Sequence, residues 1–141
     1  MTIVLDTNVL VSGMIVTDHP PGRIIDLMRA GEVRLAVDDR IVAEYEDVLA
    51  RPYFRRYFTL EEKERVMGFI RSDSLRYVCT ERIEGLPDPK DAPFAETAFV
   101  ADVPLITGNL KHFPVRKTRR AIHVITPAQF LDEFHQRLRE M

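Results

Sequence analysis

MTIVLDTN (residues 1–8) sets three aliphatic residues, Ile3, Val4 and Leu5, directly ahead of an acid, Asp6. A short unbroken apolar run reads as a strand buried on both faces, as in parallel sheets covered by helices on either side. Polar residues that follow such a strand emerge at its carboxyl end, where open α/β sheets bind their ligands. Asp6, Thr7 and Asn8 occupy that place.

Further along, helix and strand signals alternate. Residues 21–30 carry Ile24, Ile25, Leu27 and Met28, with Gly31 as a stop. Residues 33–37 read as the next strand. Ile41, Tyr45, Val48 and Leu49 share one helical face. Thr59 and Glu62 have the spacing of a capping box, ahead of a helix that turns Val66, Phe69 and Ile70 inward. Residues 76–79 are a candidate strand. Asp91 is placed to cap a helix containing Phe94, Ala95, Ala98 and Phe99, with Pro93 in its first turn. Residues 104–107 and 123–125 complete the strands. Thr126 and Pro127 start a last helix whose apolar face is Phe130, Leu131, Phe134 and Leu138. The alternation predicts one three-layer α/β/α sandwich over residues 1–141, with a mostly parallel central sheet. The helices between residues 40 and 73 could form a small lobe of it.

Composition fits a soluble globular chain of 141 residues, 45% hydrophobic and 30% charged. No run approaches the roughly 20 apolar residues of a membrane helix. Asp6 interrupts the first apolar run and no basic segment precedes it, so no signal peptide is expected. The one cysteine, Cys79, fits a reducing, cytoplasmic setting and reads as a buried structural thiol. Net charge is −2, which by itself does not indicate nucleic acid. Basic residues do cluster, at Arg51, Arg55 and Arg56 and at Arg116, Lys117, Arg119 and Arg120. Either group could hold a phosphate backbone or be a solvated surface.

Three acids from separate segments form the candidate site: Asp6, Glu44 and Asp91. Glu44 flanks the apolar stripe of its helix, from where it can reach a pocket edge, whereas Asp47 points more nearly to solvent. Asn109 follows the strand at 104–107 as Asp6 follows the first. Converging carboxylates repel and raise one another's pKa unless a cation joins them. Hard oxygen donors suit Mg²⁺ or Mn²⁺, and no cysteine–histidine cluster favours zinc. Each acid also has a plain reading: Asp6 and Asp91 as helix caps, Glu44 as a solvated helix residue.

The segments VLDTNVLVSG, IVAEYEDVL, DPKDAPFAETA and VPLITGNLKHF occur in an order that resembles the PIN-domain family, in its branch of toxin–antitoxin toxins, the VapC-like ribonucleases. The resemblance runs over nearly the whole chain. It implies a PIN-like α/β/α fold and a metal-dependent endoribonuclease using Mg²⁺ or Mn²⁺. It makes Asp6, Glu44 and Asp91 the metal-site acids, supported by Thr7 and Asn8. It also implies an RNA substrate, an antitoxin protein partner, a homodimer, and products with 5′-phosphate and 3′-hydroxyl ends. Many family members have aspartate where this chain has Asn109, which makes occupancy by one metal easier to imagine than by two. Asp88 reads either as a further supporting acid or as a turn residue between Pro87 and Pro89.

Ser12, Lys111 and His112 are candidate RNA contacts, with turn capping or surface packing as alternatives. Tyr53, Phe54, Tyr57 and Phe58 interleave with arginines, as in an RNA platform or, more so, a protein interface. The competing accounts are a noncatalytic RNA- or protein-binding protein of the same fold and a phosphatase with Asp6 as nucleophile. The second is weakened by Asn8, where such phosphatases place a second aspartate.

Overall fold

The strand read at residues 3–5 extends over Thr2–Leu5 (β1) and stands in the middle of the sheet. The computed structural model describes residues 1–114 and 122–141. Strands β2 (Arg34–Val37), β3 (Leu75–Arg76), β4 (Leu105–Ile106) and β5 (Val124–Ile125) complete the order β3-β2-β1-β4-β5. Every pairing is parallel, with Thr2 opposite Arg34, Val4 opposite Leu105, Ala36 opposite Leu75 and Leu105 opposite Val124. Ile3, Val4 and Leu5 are wholly inaccessible, because helices cover both faces of the central strand.

The helices are α1 (Thr7–Ile15), α2 (Pro20–Arg29), α3 (Asp39–Leu49), α4 (Leu60–Asp73), α5 (Ala92–Ala101) and α6 (Pro127–Glu140). The chain steps from β1 to β2 to β3 in one direction, then returns past β1 to β4. Right-handed crossovers therefore set α2 and α4 on one face and α5 on the other, giving three layers. α2 packs with α1 and α6, α4 lies on β2, and α5 lies on β1, β2 and β4. α3 touches α1, α4 and α5, and its buried Tyr45 hydroxyl donates to the Leu5 carbonyl at the end of β1. Ile41, Tyr45, Leu49, Val66, Met67 and Ile70 belong to the same core cluster as the sheet.

The expected capping box of α4 forms, and Thr126, read as the cap of α6, makes a second one with Gln129. Thr59 accepts from the Glu62 N–H at 3.0 Å, and Thr126 accepts from that of Gln129 at 3.2 Å. One helix had no expectation, and three local expectations need correction. Residues 7–15 are helical although they show no helical stripe: only Asn8 and Ser12 are exposed, so apolar side chains point nearly all round. The helix can pack this closely because a Cβ on Gly13 would lie 2.7 Å from the Pro21 carbonyl oxygen. First, the third strand pairs at Leu75–Arg76, earlier than residues 76–79. The chain then leaves the sheet and buries Cys79, whose Sγ lies 3.4 Å from Thr97 Oγ1 of α5. Second, Met67 takes the fully buried place in α4 and Phe69 is half-buried. Third, Leu138 is exposed, because α6 outruns the core. No helix of the described residues is long and apolar enough to cross a membrane.

Candidate metal centre at the carboxyl edge of the sheet

Asp6 ends β1, and the next residue opens α1. Its carboxylate caps nothing. Oδ2 instead accepts from the Thr107 hydroxyl at 2.7 Å, across the sheet from β4. The same hydroxyl oxygen accepts from the Asn109 backbone N–H at 3.1 Å. Asp6 is 5% exposed. Burial pushes its carboxyl above the usual carboxylate value, Glu44 adds to the rise, and Thr107, Thr7 and His112 oppose it.

Glu44 is half-buried on α3 and accepts a hydrogen bond from the Thr7 hydroxyl at the start of α1. Asp91 stands at the N-terminus of α5, but its side chain makes no capping bond, contrary to the expectation for it. Its Oδ2 is enclosed without a hydrogen-bond partner and lies 3.3 Å from Nδ1 of His112. Burial, with Asp6, Asp88 and Glu44 nearby, raises the Asp91 carboxyl to about 6, against an opposing pull from His112. The three acids thus occupy one electrostatic neighbourhood. They are not drawn to a point: among the described residues no three His, Cys, Asp or Glu side chains are close enough to hold a metal ion.

Asp88 is exposed and spends its carboxylate on the turn, accepting from the Lys90 N–H at 2.9 Å. Asn8 is exposed, with its Oδ1 beside Gly108 at the rim. Asn109 is half-buried and opens a 3₁₀ turn, Leu110–His112, that carries His112 toward Asp91. Lys111 is exposed on that turn. Ser12 is exposed on the second turn of α1. The basic group at 116–120 lies outside the described residues. In the aromatic–arginine stretch, Phe54 and Phe58 stack at 5.8 Å, while Tyr53 and Tyr57 are exposed and Arg56 lies over the Tyr53 ring.

Several supporting groups had no sequence signal. Thr107 closed a predicted strand but was not a candidate, and Tyr45 read only as core. Around the buried Glu96 the structure holds an ionic network with the partly exposed Arg40 and Arg82. Its sole sequence trace is a charged residue, Glu96, inside an otherwise apolar helix.

A PIN-domain family model matches residues 2–111. The chain belongs to the PIN-domain family. This PIN domain is also similar to an uncharacterized protein of Methanocaldococcus jannaschii, 25% identical over 142 residues that cover 95% of this chain and 92% of the other. The matched region contains all three acids and Thr107.

A cleft of about 710 Å³ lies elsewhere on this PIN domain, between the end of α1, α2 and the start of α4. Asp26, Arg29, Glu61 and Arg65 are on its walls, and none of the three acids lines it. Those four charged residues are all exposed, whereas Asp6 is buried and Glu44 and Asp91 are half-buried, so it is the three acids that are held partly out of water.

Proposed function

We propose that this PIN domain is a metal-dependent endoribonuclease in which Asp6, Glu44 and Asp91 hold Mg²⁺ or Mn²⁺. The observation that carries the reading is Asp91 Oδ2, a carboxylate oxygen enclosed without a hydrogen-bond partner, beside two further acids at the ligand-binding edge of a parallel sheet. A buried anion in that state is costly unless it is neutralised. Oxygen donors alone, with no thiol or imidazole pair, match a hard divalent cation. Bound there, such a cation supplies Lewis acidity, lowering the pKa of a water and offsetting the charge of the scissile phosphate.

The chain's own residues prepare that environment. Thr107 fixes one oxygen of Asp6, and Thr7 fixes one of Glu44. Asp91 Oδ2 accepts no hydrogen bond and faces His112 Nδ1 at 3.3 Å. His112 and Lys111 stand on the adjoining turn, where positive charge attracts a phosphodiester backbone. RNA enters over the carboxyl edge of the sheet and leaves with 5′-phosphate and 3′-hydroxyl ends. The resemblance to toxin components supports a role as the toxin of a toxin–antitoxin pair, with an antitoxin protein as partner and a homodimer as the working form.

A mixed RNA pool incubated with Mg²⁺, with Mn²⁺ and with EDTA tests the reading, beside folded Asp6→Asn and Asp91→Asn proteins. Metal-dependent cuts that vanish in both variants are the expected result. Equal cutting by the variants would place the activity elsewhere. Two observations favour a second reading, a noncatalytic RNA- or protein-binding PIN domain: Asn109 removes a charge from the site, and the acids stand apart. Mn²⁺ binding without cleavage of any RNA would select it.

A further inference from the structure

Glu44 and Asp91 sit on different helices, so the gap between them depends on how α3 is fixed to α5. Tyr45 of α3 packs against Phe94 of α5, with ring centroids 6.4 Å apart, and beside that apolar contact one ionic link joins the two helices. Arg40, in the first turn of α3, donates through Nε to Asp38 Oδ2 at 2.8 Å. Its Nη2 lies 2.6 Å from the same oxygen and 2.9 Å from Glu96 Oε1 on α5. Asp38 is the N-cap of α3 and accepts from the Ile41 N–H at 2.9 Å. Glu96 is 1% exposed, and its other oxygen accepts from the Ile83 N–H at 2.9 Å. Arg40 and Glu44 are four residues apart on α3 and share a face. The planar guanidinium therefore pins the turn of α3 that precedes Glu44 to the turn of α5 that follows Asp91.

We infer that Arg40 is a positioning residue for the metal site: bridging Asp38 and Glu96, it sets the separation of Glu44 from Asp91 and so the affinity for a divalent cation. The inference rests on the proposed metal-dependent function. The physical ground is that an ion pair to a buried carboxylate contributes little net stability but fixes geometry; Arg82 Nη1 also lies 3.4 Å from Glu96 Oε1, but it is Arg40 that ties Glu96 to Asp38 at the start of α3. Lysine cannot replace it fully, because an ammonium group lacks the rigid fork that meets two carboxylates at once.

Simple electrostatics and positioning predict opposite signs. Removing a cation near an acidic site should tighten Mn²⁺ binding if charge alone matters. Removing the clamp should weaken it. Mn²⁺ affinity, measured by electron paramagnetic resonance at a temperature where each protein is folded, separates the two. Arg40→Gln is expected to weaken Mn²⁺ binding at least tenfold, and Arg40→Lys to fall between it and the parent. Lys63→Met is the control. It breaks another ionic link of α3, that of the buried Lys63 with Glu46 and Glu64, which ties α3 to α4 and not to α5. Its affinity should stay within twofold of the parent. If Arg40→Gln fails to fold, Glu96→Gln replaces it, because the amide oxygen still accepts from Ile83. Its expected loss is also at least tenfold. Unchanged or tighter binding in Arg40→Gln, unchanged binding in Glu96→Gln, or an equal loss in Lys63→Met overturns the inference while leaving the metal site standing. An absence of Mn²⁺ binding in the parent, or binding that survives Asp6→Asn, overturns the site itself and the clamp with it.

Discussion

Asp91 is held well above the usual carboxylate value by burial and by the neighbouring acids, and its titration gives the site a pH signature. The carboxyl titrates near 3.8 in an open chain and at about 6 in the folded protein. The folded state therefore binds this proton more tightly. Its contribution to stability is complete below pH 3.8, is lost as pH rises toward 6, and remains a penalty above that. Asp91→Asn removes the ionisable group while keeping its shape. Without divalent metal at pH 7 it should be more stable than the parent by about 1–2 kcal/mol, allowing for partial solvent access. A rise in Tm of about 3–6 °C is expected, and thermal melts at pH 4 should show the gain gone. Thr107→Val should act in the opposite sense. It removes the hydroxyl that donates to buried Asp6 and accepts from Asn109. A loss of about 1–3 kcal/mol is expected from the denaturation midpoint. The Asp6 carboxyl should titrate higher still, which carboxyl-carbon NMR would record.

Close contact between α1 and α2 depends on glycine, and two substitutions should separate that role from helix propensity. A Cβ on Gly22 would lie 2.2 Å from the Thr17 carbonyl oxygen, which is backbone and cannot swing away. Gly22→Ala should cost about 2 kcal/mol or more through overpacking. Gly68, on the exposed side of α4, has nothing within 4 Å of the same position. Gly68→Ala should stabilise by about 0.5–1 kcal/mol. Urea midpoints of the two proteins decide the comparison. The same helices show why some elements were legible in the sequence and others were not. α4 announces itself with a capping box, α6 with Thr126 and Pro127 at its start, and α3 with a stripe through Ile41, Tyr45 and Leu49. α1 is apolar on most sides, so its period is hidden, and only its packing against α2 makes sense of its glycine. Asp6 was visible because it stands out against an apolar strand, Glu44 because it flanks an apolar helical stripe, and Asp91 because it stands at a helix start. Thr107, Tyr45 and Arg40 were not, since what each does depends on a partner brought by the fold from far along the chain.

The sheet order explains why the site needs nearly the whole chain. Asp6 comes from the central strand, Glu44 from the helix after β2, and Asp91 from the crossover that carries the chain back past β1 to β4. A protein ending at residue 101 would lack β4, leaving one edge of β1 unpaired and Asp6 without Thr107. Such a fragment should cut no RNA in the pool assay and should aggregate through its open strand edge, visible by light scattering. Thr107 stands 101 residues after Asp6. At synthesis rates of about 5–20 residues per second, Asp6 leaves the peptidyl-transferase centre roughly 5–20 s before its partner does. A nascent chain of this PIN domain therefore holds Asp6 without the hydroxyl that fixes it until β4 has been made. On the proposed ribonuclease reading, the message being translated, the RNA nearest to the growing protein, is spared for that time.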